Sequence, residues 1–180
     1  MSILLRKIQE KDLELLMNWR MRPDITKYML SDPVLTMDKQ YQWYYKIKKE
    51  DRFDFVIEID DTPVGYFGIF DIDRISNCCG GGVYIAEVKA RSFRNFIDIQ
   101  SNILDFIFLN QKLHKHIFCV FEENPVKNIY KFFNIVFEGK SRDAVYKYGR
   151  YFNLLYYSLL DYEWSEIRNR IKYNTIKIDY

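Results

Sequence analysis

Hydrophobic positions in the N-terminal part of the chain follow two different periods. Ile3 to Ile8 is a short apolar run suited to a first strand. From Glu10 to Arg20, the residues Leu13, Leu16, Met17 and Arg20 recur at helical spacing, which predicts a helix with one packed and one solvated face. Pro23 breaks that helix. Asp24 to Met29 reads as a short second helix with Asp24 as its cap, and Pro33 interrupts again. Thr36 caps a further helix that runs to about Lys49 and buries some combination of Tyr41, Tyr44, Tyr45 and Ile47.

The pattern then shifts to strands. Asp54–Ile59 and Pro63–Ile72 flank the tight polar turn Asp60-Asp61-Thr62, and Gly80-Gly81-Gly82 precedes a strand at Val83-Tyr84-Ile85. Asn95 to Leu113 is a long amphipathic helix with Ile99, Ile103, Phe106, Ile107 and Asn110 on one face. His116 to Phe121 reads as a buried strand. Pro125 falls in the first turn of a helix that ends near Asn134. Phe137–Tyr146 and Tyr151–Leu160 form a hairpin around Gly149, and a helical tail follows from about 161 to 180. The order is β-α-α-β-β-β-α-β-α-β-β. It predicts a mixed α/β sheet of about seven strands, antiparallel at the start and crossed through helices in the middle, in one domain over residues 1–180.

Composition narrows the class. With 180 residues, 48% hydrophobic and 29% charged, the chain can bury a sizeable core. A net charge of +2, spread along the sequence, gives no general attraction to nucleic acid or to a membrane surface. No apolar run approaches the ~20 residues of a membrane span, and Met-Ser-Ile-Leu-Leu-Arg does not read as a signal peptide. Cys78, Cys79 and Cys119 form an odd set with an adjacent pair, which suits a reducing compartment, so a cytoplasmic location is expected. His114 and His116 with Cys119 are too few ligands for a structural zinc site, and no metal is expected. Those two histidines read instead as a partly exposed helix-to-strand junction.

Four segments carry a resemblance. The first is Asn18-Trp19-Arg20-Met21-Arg22-Pro23-Asp24-Ile25 with Tyr28-Met29, Leu35-Thr36, Gln40 and Trp43. The second is Val83-Tyr84-Ile85 followed by a helix ending in Asp105-Phe106-Ile107-Phe108, with His114 beyond it. The third is Glu123-Asn124, then Asn128 to Phe133 and Phe137-Glu138-Gly139-Lys140. The fourth is Tyr156 to Leu160 with Glu163-Trp164. In this order they resemble the GNAT superfamily of N-acetyltransferases, in its branch of ribosomal-protein and amino-sugar acetyltransferases, over roughly residues 3 to 166. The first segment is similar to the signature of enzymes that acetylate nucleotide-linked 4-amino sugars in the pseudaminic acid pathway, with Met21 in place of an Asn and Gln40 in place of a His. The acetyl-CoA loop of the family, Arg-Gly-x-Gly-x-Gly/Ala, falls on Arg91-Ser92-Phe93-Arg94-Asn95-Phe96, which has the Arg and no Gly.

The resemblance implies a GNAT fold, acetyl-CoA as cofactor and a set of site residues. Val83, Ile85, Arg91, Ser92, Arg94, Asn95 and Phe96 would hold the cofactor, and Asn124 would contact its pantetheine arm. A helix N-terminus suits the pyrophosphate because its free N–H groups and dipole favour an anion. Equally, Arg91 and Arg94 read as solvated charges and Asn124 as an ordinary N-cap. Tyr130 is the first candidate for the acid that protonates the leaving thiolate, with core packing as the alternative, and family spacing also reaches Phe132. Glu122 or Glu123 would be the base, or else exposed carboxylates at a strand end. Trp19, Arg20, Met29, Gln40 and Trp43 would form the acceptor pocket, where an Arg can pair phosphate and rings can stack on a base. Helix packing accounts for the two Trp residues equally well.

Three functions are compatible with these residues. One is acetyl-CoA-dependent acetylation of a nucleotide-linked amino sugar of the UDP-4-amino-4,6-dideoxy type. Another is acetylation of a protein N-terminus or a small amine. The third is a non-catalytic GNAT-like binding protein, favoured by the missing glycines. The expected partner is a small-molecule substrate, with the chain a monomer or homodimer.

Overall fold

The computed structural model describes residues 2–180. A first strand, β1 (Ile3–Lys7), leads through a single 3₁₀ turn into α1 (Leu13–Arg20). Next come α2 (Pro23–Thr26) and α3 (Met37–Ile47). The Thr36 side chain accepts from the Lys39 N–H, so Thr36 is the cap that the sequence predicts. Asp24 is not a cap: Arg22 holds that position, and the Asp24 carboxylate is drawn into ion pairs instead. Within α3, Tyr44 and Ile47 are buried while Tyr41 and Tyr45 are exposed.

Strands β2 (Phe53–Ile59), β3 (Thr62–Asp73) and β4 (Cys78–Ile85) continue the sheet. The β2–β3 hairpin closes on Asp60 and Asp61, both at positive φ (47° and 59°), the two-residue turn that suits the twist of a hairpin. The predicted long helix is α4 (Phe93–Asp105), capped by Ser92, and it widens into a π turn over Phe106–Asn110. Phe106, Ile107 and Phe108 are all buried there, whereas Asn110, expected on the apolar face, is exposed. Strand β5 (Lys115–Phe121), the short α5 (Lys127–Phe132), β6 (Val136–Lys147) and β7 (Arg150–Leu160) follow. Pro125 lies two residues ahead of α5.

The expected helical tail divides. Helix α6 (Asp161–Arg168) forms, but the chain then runs extended into a short strand, β8 (Lys177–Asp179), parallel to β1. Polar side chains of α4 impose this. The Asn174 N–H donates to Asp98, the Ile176 N–H donates to the Asn102 side chain, and Asn102 donates back to the Asn174 carbonyl. Asp105 accepts from Trp164 and Tyr173. The sheet therefore has eight strands, in the order β6-β7-β5-β4-β3-β2-β1-β8.

Alternation along the strands sorts two cores. Leu5, Phe55, Ile57, Phe67 and Ile69 meet Ile99 and Ile103 of α4 and Phe106 of the π turn on one face. Ile8 and Val56 meet Leu13, Leu16, Trp19, Tyr44 and Ile47 of α1 and α3 on the other. Within β4 the same alternation sends Val83 and Ile85 toward α4, and Tyr84 toward α1 and α3.

Candidate functional site

Strands β4 and β5 are the one parallel pair in the middle of the sheet. They share only two rungs, Cys78↔Lys115 and Cys79↔His116, and then part. Beyond Cys79 the β4 backbone is paired to β3 on one edge and has no strand partner on the β5 side. Such backbone groups need partners from elsewhere. Between the diverging strands lies a cleft of about 620 Å³.

Glycines keep its inner end narrow. A Cβ on Gly81 would come within 2.9 Å of the Gly68 carbonyl oxygen and 3.0 Å of His116 Cε1, so only glycine lets β4 pass the imidazole. His116 itself is buried, not the partly exposed junction residue that its position suggests. Its Nδ1 lies 3.4 Å from Cys79 Sγ, and its ring packs 4.2 Å from that of Phe118. Burial lowers its pKa to about 4, so the ring is neutral at physiological pH. Burial also pushes the Cys79 thiol up to about 12, which keeps it an inert thiol.

Several of the predicted residues line this cleft: Val83, Ile85, Arg91, Ser92, Phe96, Asn124, Tyr130 and Met29. The Tyr130 ring is wedged 5.1 Å from both Phe118 and Tyr157. Burial raises its pKa well above the usual phenol value, so it stays a proton donor. Asn124 accepts from the Val126 N–H, a local turn that starts the α5 segment. The Ser92 hydroxyl caps α4 by accepting from Asn95 N–H. Phe96 packs edge-on to Phe133 at 6.4 Å, and Phe93, 61% exposed, packs on Phe132.

Other expectations are corrected. Arg91 is not free to meet an anion, because it donates to the Ile85 and Ala86 carbonyls and to Asp24 at 2.6 Å. Arg94 turns away from the cleft to Asp98 and to the Lys172 carbonyl of the tail. The Asn95 side chain is buried and donates to the Ala90 carbonyl, which locks the loop before α4 rather than facing a ligand. Glu122 is outside the cleft: Lys140, 2.7 Å away, and Asn153 hold its carboxylate and lower its pKa, which makes it a poorer base. Glu123 is exposed and lies 3.9 Å from Arg150.

The acceptor group also divides. Trp19, Gln40 and Trp43 are packing residues: Trp19 is 4% exposed and meets Tyr84 edge-on, Gln40 is buried, and Trp43 packs on the α1–α3 core. Arg20 sits just behind the wall, near Tyr84 and Tyr148, and burial lowers its pKa. Its Nη2 donates to Ser31, and its buried Nη1 has no partner among the described residues. Sequence reasoning missed Tyr84, His116, Cys119 and Lys27, which all line the cleft. The run Gly80-Gly81-Gly82, expected ahead of the strand, lies inside β4, where glycine marks a close approach.

One carboxylate, Asp24, reaches the cleft among the described residues. Hydrogen bonds from Arg22 and Arg91 lower its pKa to about 2, so it carries no spare negative charge. No group of His, Cys, Asp and Glu among the described residues forms a metal cluster. No helix among them is long and apolar enough to cross a membrane.

Residues 2–127 match the family described as acetyltransferase (GNAT) domain. Among solved structures, the fold is similar to a spermidine N-acetyltransferase from Vibrio cholerae in complex with CoA and spermine, with TM-score 0.83 and 23% identity over 91% of this chain and 98% of that one. A probable acetyltransferase superposes with TM-score 0.77 and 20% identity over 91% of this chain and 95% of that one. No curated protein matches the sequence significantly.

Proposed function

Because the chain belongs to the GNAT acetyltransferase family, we propose that the cleft between β4 and β5 takes acetyl-CoA and that the acetyl group passes to the primary amine of a nucleotide-linked amino sugar. The observation that carries this reading is the parting of β4 and β5 after Cys79↔His116, which leaves one edge of the β4 backbone open along a 620 Å³ cleft. A pantetheine arm is an extended chain of amides. It can pair with that edge as a missing strand would, with Val83 and Ile85 on its α4 side and Asn124, Val126 and Ile129 opposite.

The diphosphate end fits less completely. Phe93 and Arg94 offer first-turn N–H groups that have no intrahelical acceptor, and the dipole of α4 favours an anion. The glycines that would let a phosphate settle deeper are replaced, Ser92 already caps the helix, and Arg91 and Arg94 are engaged elsewhere. Binding then rests on the cleft and the helix end, without an arginine clamp.

Acetyl-CoA supplies a thioester-activated acetyl group. The chain supplies position and proton control. The β4 edge without a strand partner would supply a backbone N–H to stabilise an oxyanion. Tyr130, kept protonated by burial, donates to the departing thiolate. With Glu122 tied to Lys140 and Asp24 held between two arginines, the amine proton leaves to water.

The acceptor side argues for an anionic carrier. A polyamine needs carboxylates, and Asp24 is already neutralised by Arg22 and Arg91. Lys27 in the wall favours phosphate nearby. The test is a turnover screen of UDP-4-amino sugars against N-terminal peptides and spermidine. Acetylation of the sugar is expected, and preference for spermidine or a peptide overturns the acceptor assignment.

A further inference from the structure

The two arms of the sheet, β8-β1-β2-β3-β4 and β5-β7-β6, meet through two rungs at the closed end of the cleft. At the open end, α2 reaches both. Toward β4, the Arg22 Nη2 donates to the Ala86 carbonyl at 3.0 Å, and Asp24 accepts from Arg91, which also holds the Ile85 and Ala86 carbonyls. Toward the other arm, α2 and the residues just after it receive Lys147, the last residue of β6. Its Nζ donates to the Thr26 carbonyl and, at 2.9 Å, to the Met29 carbonyl. Beside it the Thr26 and Tyr148 hydroxyls lie 3.4 Å apart.

Lys147 is an unusual residue to find here. It is 7% exposed, and both of its hydrogen bonds go to backbone carbonyls rather than to a carboxylate. The rings of Tyr148, 4.7 Å away, and Phe121, 5.9 Å away, face the ammonium. Burying an ammonium is costly, so the site repays that cost only while the Thr26 and Met29 carbonyls and the rings are in place. Asp24, Ile25, Lys27, Tyr28 and Met29 of this same segment line the cleft.

We infer that residues 22–29 form a strap across the mouth of the cleft, and that Lys147 is its latch, a positioning residue that fixes the acceptor wall relative to the β4 edge. The functional half of this rests on the acetyl-CoA reading of the cleft, whereas the latch itself does not. Both are tested on the full chain with K147M and K147R, the latter retaining a cation and donors.

Hydrogen exchange reads the latch. In K147M, amides of residues 25–29 are expected to exchange at least about tenfold faster, with β5 and β7 unchanged, and K147R is expected to restore most of the protection. Unchanged exchange at 25–29, or acceleration spread equally through β5 and β7, overturns the inference. Calorimetry and kinetics read the consequence. K147M is expected to bind acetyl-CoA within about twofold of wild type, while KM for the best amine acceptor rises about tenfold. A proportional loss in both overturns the positioning role. Failure of wild type to bind acetyl-CoA would fail the functional reading alone, with the exchange result standing by itself.

Discussion

The Cys79 thiol and the His116 imidazole lie 3.4 Å apart across the last rung that joins β4 to β5, at the point from which the cleft opens. The imidazole is held neutral, with its pKa lowered by burial to about 4 from 6.5. Unfolding lets it regain a proton between those values, so the unfolded chain binds more protons there and stability falls as pH drops from 6.5 to 4. The linked loss is about 3 kcal/mol. Urea titrations of wild type and His116→Gln across that range should show a steeper decline for wild type. Parallel curves would mean that His116 is not held neutral.

Tyr130 should report on proton donation. Tyr130→Phe keeps the ring against Phe118 and Tyr157, so the melting temperature should hold within a few degrees. Loss of the acid should lower kcat by about 10²-fold with acetyl-CoA affinity unchanged. An unaltered kcat would make Tyr130 a packing residue.

The pH–rate profile should show the absence of a tuned base. Glu122 is held below the usual carboxylate range by Lys140, and Asp24 sits at about 2. The rate kcat/KM should therefore climb with pH, with unit slope, up to the pKa of the acceptor amine. The raised pKa of Tyr130 prevents a fall immediately above neutrality. A plateau set by a group near pH 6 to 7, whatever the amine, would reveal a base that the cleft does not display.

Asn102 tests the tail. Its side chain serves the Ile176 N–H and the Asn174 carbonyl at once, so Asn102→Ala strands two backbone groups. A cost of about 2 kcal/mol is expected in denaturant unfolding. Stability equal to wild type would show that the tail is dispensable to the fold.

These residues also show how far the sequence could be read. Most strands through β7, the two hairpin turns and the Thr36 cap are legible because each depends on neighbours in the chain, whereas the glycine half of β4 is not. Nor is the tail. Residues 169–176 have no periodicity of their own, and their extended path is dictated by Asp98 and Asn102, more than 70 positions away. The site divided along the same line. Val83, Ile85, Ser92, Phe96, Asn124 and Tyr130 reach the cleft because family order places their elements around it. Arg91, Arg94, Asn95 and Glu122 are diverted by partners distant in sequence or by local hydrogen bonds, and a motif window shows none of those. His116 reads from the sequence as a partly exposed junction residue because its burial beside Gly81 is a contact made by strand pairing.

The most direct measurement is calorimetric titration of the full chain with acetyl-CoA, in wild type and in Phe96→Gly. Phe96 forms part of the wall against Phe133 while the cleft stays open, so the glycine variant should lose about 3 kcal/mol of stability without gaining affinity. Wild type is expected to bind one equivalent with a Kd between about 1 μM and 1 mM, the range of typical KM values. Absence of binding at millimolar acetyl-CoA would contradict the account, and tighter binding in Phe96→Gly would identify that ring as the obstacle.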